Sequence, residues 1–110
     1  MTTYRSNRRT NGKQHERDIQ KDVLSRLNLF GGKWYGVKKT NDDGCPDIIG
    51  WYNNKSFSIE LKTKDGDPSK LQLDAIADIK LHGGPNTVVG ICRSIKEVFD
   101  LIKANGERSP

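Results

Sequence analysis

The sequence predicts a mixed α/β domain, a small mixed β-sheet flanked by helices, with elements in the order α-β-β-β-α-β-α. Three observations carry that expectation. Three stretches place apolar residues at helical spacing. Two short β-branched and aromatic runs are separated by Asn53-Asn54, a pair suited to a two-residue hairpin turn. One continuous apolar run, "TVVGICR", lies between the second and third helices.

In chain order, "QHERDIQKDVLSRLNLFGG" reads as the first helix, with Ile19, Val23, Leu24 and Leu27 on one face and Gly31-Gly32 as its stop. "KWYGVKKT" is the first strand, and "NDDG" is turn chemistry. "PDIIGWY" and "KSFSIELKT" are the second and third strands. A helix is expected from about Lys70 to His82, with Ser69 as its N-cap and Ala75, Ile76 and Ile79 on its apolar face. "TVVGICR" reads as a strand buried on both faces. "SIKEVFDLIKAN" closes as a helix capped by Ser94, with Ile95, Val98, Phe99 and Ile102 as its stripe. The domain reading is a basic arm over 1–13, one domain over 14–104, and a tail over 105–110.

The chain of 110 residues is 33% hydrophobic and 30% charged, which suits one domain with a modest core. No apolar run approaches the roughly 20 residues needed to span a bilayer, and "MTTYRSNRR" lacks the apolar segment of a secretory signal. A soluble, cytoplasmic protein is expected. Cys45 and Cys92 match no metal spacing and read as reduced thiols. The net charge of +5 is uneven: residues 1–40 hold ten Lys/Arg against three Asp/Glu, and residues 41–110 hold nine against eleven. A basic half suggests a polyanionic partner, most simply nucleic acid, although a solvated surface explains the charge equally well.

The polar residues break the pattern at one place. If Asn53 and Asn54 are the loop, Tyr52 pairs with Lys55, Gly50 with Phe57 and Ile48 with Ile59, which sets Asp47 opposite Glu60. Lys62 falls on the face of Glu60, while Phe57, Ile59 and Leu61 take the other. A four-residue loop would shift the pairing by two and keep these faces; a three-residue loop would not. On the first helix, Glu16 and Gln20 share the stripe of Ile19, Val23 and Leu27, and on the second, Gln72 shares a face with Ala75, Ile76 and Ile79. Inward polar groups cost free energy unless paired or set in a wet cleft. Singly, each has an ordinary explanation, such as a favourable charge at a helix start or an exposed strand ion pair. Together, two opposed acids and inward polar groups on two helices suggest a divalent cation. Mg²⁺ takes oxygen ligands from one or two carboxylates plus water and phosphate. Lys62 beside it suits a phosphate oxygen or an attacking water.

Asp47 after Pro46, twelve intervening residues and then Glu60-Leu61-Lys62 resembles the PD-(D/E)xK nuclease signature. "HERDIQKDVLSRL", "GCPDIIGW", "SIELKTKDGDPSKLQLDAI" and "TVVGICRS" follow in the order of the VRR-Nuc (virus-type replication-repair nuclease) domain, over roughly residues 15–102. The resemblance is to a stand-alone phage or bacterial member. It implies a restriction-endonuclease-like core and a DNA endonuclease dependent on Mg²⁺ or Mn²⁺, selective for Holliday junctions or other branched DNA and acting as a homodimer. It implies Glu16 as the helix-one acid, Asp47 and Glu60 as metal ligands, the main-chain carbonyl of Leu61 as a further ligand, Lys62 as the catalytic lysine and Gln72 as a supporting site residue. Cys45 departs from a position that is often aliphatic, which implies sensitivity to oxidation. Arg5, Arg8, Arg9, Lys13, Lys38, Lys39 and Lys64 are candidate phosphate contacts, which position DNA without reading sequence. Two alternatives stand beside this reading: a non-cleaving DNA-binding or assembly module of the same fold, and a sequence-specific restriction-type nuclease. The second has little spare chain for a base-reading element.

Overall fold

The computed structural model describes residues 16–38 and 44–106, with side chains from 18 to 38 and from 44 to 105. The elements are α1 (Glu16–Phe30), β1 (Lys33–Gly36), β2 (Ile48–Tyr52), β3 (Lys55–Leu61), α2 (Lys70–Gly83), β4 (Thr87–Cys92) and α3 (Ile95–Gly106), the order expected. The sheet runs β1-β2-β3-β4. The first two pairings are antiparallel and the third is parallel, with α2 as the crossover that a parallel pair requires.

The hairpin forms as its turn chemistry dictates. Asn53 and Asn54 sit at φ 52° and 66°, the left-handed pair that a two-residue turn needs. The register follows: Tyr52 pairs with Lys55, Trp51 with Ser56, Gly50 with Phe57, Ile49 with Ser58 and Ile48 with Ile59. α1 ends where Gly31 (φ 133°) and Gly32 (φ 92°) take conformations that L side chains resist. The Gly31 amide returns to the Leu27 carbonyl at 3.0 Å, and the Gly31 carbonyl accepts the Trp34 indole N–H at 2.7 Å.

One face of the sheet is core. Val23 and Leu27 from α1, Val98 and Ile102 from α3, and Trp34, Ile48, Phe57, Ile59 and Leu61 from the strands form a single buried cluster. Phe30 joins the two helices over it, its ring centroid 5.1 Å from Tyr52 and 5.2 Å from Phe99. Gly50 makes room for the Trp34 ring: a Cβ there would overlap the indole and lie 2.6 Å from the Lys33 carbonyl.

The expectation that "TVVGICR" is buried on both faces is corrected. β4 is an edge strand paired only with β3, and among its residues only Cys92 is buried. An apolar run is compatible with an edge when helices shield its faces only in part. Among the described residues, no helix is long and apolar enough to cross a membrane.

Candidate active site

The polar cluster forms where β2 enters the sheet beside the end of β3. Asp47 and Glu60 are both buried, at 8% and 2% exposure, where ionised groups are rare unless held by partners. Their relation differs in one respect from a simple cross-strand pair. The regular ladder ends at Ile48–Ile59, and the Asp47 amide also donates to the Ile59 carbonyl, at 2.9 Å. Asp47, just before β2, and Ile48 thus both bear on Ile59 of β3, which is the count of a β-bulge, a device that re-aims a side chain. The Asp47 carboxylate is re-aimed along β3: Oδ2 accepts the Leu61 amide at 2.7 Å, the N–H of the peptide that joins Glu60 to Leu61. The first acid is therefore held within one peptide unit of the second.

Gln20 and Gln72 anchor the two acids from different helices. Gln20 Nε2 donates to the main-chain carbonyl of Asp47 at 2.7 Å and reaches that of Val37 at 3.4 Å, so α1 grips the bulged segment. Gln72 does two jobs with one amide. Its Oε1 accepts the Ser69 N–H at 2.9 Å while Ser69 Oγ accepts the Gln72 N–H at 3.1 Å, which is a complete capping box at the start of α2. Its Nε2 donates to Glu60 Oε2 at 2.5 Å. Gln20 and Gln72, expected to face inward, thus acquire specific partners; Gln72 is buried, and Ala75, Ile76 and Ile79 of its group are half-buried. The side chain of Glu16 lies outside the described side chains, and its expected role is not placed.

Lys62 follows Glu60 by two residues. It is half-buried, and its amide donates to the Cys92 carbonyl at 3.0 Å, extending the β3–β4 pairing. The next turn is fastened by a residue that sequence reasoning missed. Arg93 Nη1 donates to the carbonyls of Thr63 (2.8 Å) and Gly66, clamping the segment between Lys62 and α2. Its position follows from the parallel register, which sets Leu61 beside Cys92 and so Arg93 beside the residues after Lys62. No local signal in the sequence reveals that pairing. Arg93 is itself set by α3, since its amide donates to Glu97 Oε1 at 2.7 Å and Ser94 Oγ accepts the Glu97 amide at 3.1 Å.

Cys92 is buried beneath this edge, and burial pushes its thiol up to about 12, with Glu97 and Asp100 adding to the shift. Cys45, two residues before Asp47, is half-buried. Of the expected phosphate contacts, Lys38 and Lys64 are exposed; Arg5, Arg8, Arg9, Lys13 and Lys39 lie outside the described residues.

The donor set suits a hard cation. The carboxylates of Asp47 and Glu60 offer oxygen donors, the kind that Mg²⁺ and Mn²⁺ accept and that softer metals do not favour. Among the described residues no cluster of three acidic, His or Cys side chains gathers, so two acids form the described set.

No family model matches the chain, and no curated protein matches it. Among solved structures, one titled "VRR_NUC domain" superposes with a TM-score of 0.63 at 24% identity, over 80% of this chain and 94% of that one. The agreement spans nearly the whole of that domain, so the chain has the fold of a VRR_NUC domain.

Proposed function

We propose that the protein is a Mg²⁺- or Mn²⁺-dependent DNA endonuclease acting on branched DNA. The observation that carries this reading is the dual hold on the two acids. Asp47 is re-aimed by a bulge onto the peptide after Glu60, and Glu60 is clasped by the same amide that caps α2. Burying two carboxylates side by side is unfavourable without a compensating cation, so a fold that holds one on a strand amide and the other from a helix uses them.

Asp47, Glu60 and the Leu61 carbonyl would hold the metal, with Glu16 reaching it directly or through water. When bound, the metal supplies charge neutralisation at the phosphodiester and a more acidic water. Lys62, two residues beyond Glu60, binds a non-bridging phosphate oxygen and orients the attacking water through its ammonium hydrogens. It offsets charge that grows as the phosphorus becomes five-coordinate. Gln72 keeps the Glu60 carboxylate in one orientation, and Arg93 keeps the segment after Lys62 from drifting. Departure of the 3′ oxygen leaves 5′-phosphate and 3′-hydroxyl ends. Lys38 and Lys64 attract the DNA backbone without base readout, which makes binding salt-dependent. A two-fold pair of chains would set two such sites against two strands, the geometry a junction resolvase needs. The similar solved structure, a VRR_NUC domain by title, supports the nuclease class.

The test is Mg²⁺-dependent cleavage of end-labelled four-way junction, splayed and linear duplexes. Wild type is expected to nick branched substrates in preference, and Glu60→Gln and Lys62→Ala to lose at least about a hundredfold in rate. Absence of cleavage by folded wild-type protein with DNA binding retained would leave a binding module. Undiminished cutting by either variant would refute the site.

A further inference from the structure

We infer that Tyr35 and Trp51 form a stacking platform for unpaired nucleobases on the sheet face that carries Glu60; the inference rests on the nuclease reading for its choice of DNA as ligand. Among the described residues there are seven aromatic rings. Trp34 and Phe57 lie in the core, and Phe30, Tyr52 and Phe99 pack against it. Tyr35 and Trp51 do neither: they are 50% and 48% exposed.

The register fixes where they stand. Lys33 pairs with Trp51 and Tyr35 with Ile49, so the two rings are diagonal neighbours on one face of the β1–β2 pair. They meet edge to face with centroids 6.3 Å apart. Trp51 pairs with Ser56, and alternation along β3 carries that face through Ser58 to Glu60. Four residues of strand separate Ser56 from Glu60, about 13 Å at the usual rise. A duplex strand advances about 3.4 Å per phosphate, so the platform lies about four nucleotides or fewer from a phosphate at the acids.

The chemistry of the patch suits DNA. Lys33 Nζ stands 5.6 Å from the Tyr35 ring centroid, which sets a cation beside the aromatic faces. Stacking rings next to a positive charge are the recurring means of binding single strands. A second copy of the chain fits less well. Two half-exposed rings offer on the order of 200 Å², against about 800 Å² per partner in a stable interface. In an intact duplex the base faces are already stacked, whereas branched DNA exposes some of them. The platform therefore supplies selectivity for branch points that backbone contacts lack.

The test uses the full chain in EDTA, where cleavage does not contribute. Oligothymidylate and a blunt duplex are titrated by fluorescence anisotropy, with tryptophan emission followed in parallel. Trp51 is expected to be quenched by oligothymidylate. Trp51→Ala should weaken oligothymidylate binding about tenfold to a hundredfold, Trp51→Phe should retain most of it, and duplex affinity should change little. Wild-type affinity for oligothymidylate in both Trp51→Ala and Tyr35→Ala, with their circular dichroism unchanged, would overturn the inference. So would a shift from dimer to monomer in sedimentation with single-strand affinity intact, which would make the patch a subunit contact. Cleavage in Mg²⁺ is scored separately. Failure of wild type to cut sinks the nuclease reading while leaving the binding result standing, and normal cutting with no platform effect sinks only the platform.

Discussion

Gln72→Ala removes two interactions at once, and their sum can be worked from the structure. The Nε2 bond to Glu60 is charge-assisted and short, at 2.5 Å; bonds of this class contribute about 1.5–3 kcal/mol. The Oε1 bond to the Ser69 amide is an ordinary neutral one, worth about 1 kcal/mol, and its loss opens the capping box of α2. Part of the first term returns as water reaches Glu60, so a net loss of about 2–3 kcal/mol is expected. For a domain of this size that is a fall in Tm on the order of 10 °C. Denaturant unfolding in EDTA, followed by circular dichroism, measures it. Gln72→Glu separates the two bonds, because its carboxylate still accepts from Ser69 but sets a negative charge against Glu60. It should lose at least as much stability in EDTA and recover part of it in millimolar Mg²⁺. A loss below about 0.5 kcal/mol in Gln72→Ala, or no Mg²⁺ effect in Gln72→Glu, would refute the role given to this side chain.

Four further outcomes are expected. Gly50→Ala forces a methyl group into the Trp34 ring and the Lys33 carbonyl and should destabilise by about 2–3 kcal/mol or more, as overpacking does, read from the same unfolding curves. Asn54→Gly relieves a side chain held at φ 66° and should raise stability by a few tenths of a kcal/mol, measurable as a small increase in Tm. In thiol labelling of native protein near pH 8, Cys45 should react first, while Cys92, pushed up to about 12 by burial, should react only on unfolding. The same shift gives a sign for alkaline stability. Above the ordinary thiol value of 9.0 the unfolded chain loses the Cys92 proton while the folded chain keeps it, so stability falls as pH rises from there toward 12.

The hairpin was legible in the sequence because its turn permits few alternatives. Two Asn residues at positive φ set the loop length, and the loop length set every pair from Tyr52–Lys55 to Ile48–Ile59. Gln72 was legible as an inward polar residue, since helical periodicity fixes a face without naming a partner. What escaped were particular partners. The contact of the Asp47 carboxylate with the Leu61 amide escaped because strand alternation gives a side chain's face and not the backbone group it reaches. Arg93 became a clamp only through the parallel pairing of β3 with β4, strands distant in sequence and joined through α2. The edge position of β4 escaped for a related reason: an apolar run reports burial on its faces and says nothing of a missing neighbour.

The central claim is that Asp47 and Glu60 together form a divalent-metal site. Titration of the protein with Mn²⁺, followed by electron paramagnetic resonance of the free ion, tests it most directly. The account predicts one saturable site per chain that is lost in Asp47→Asn and in Glu60→Gln while both variants keep the wild-type circular dichroism. Saturable Mn²⁺ binding that survives either substitution unchanged, or no binding by wild type at millimolar Mn²⁺, would contradict it.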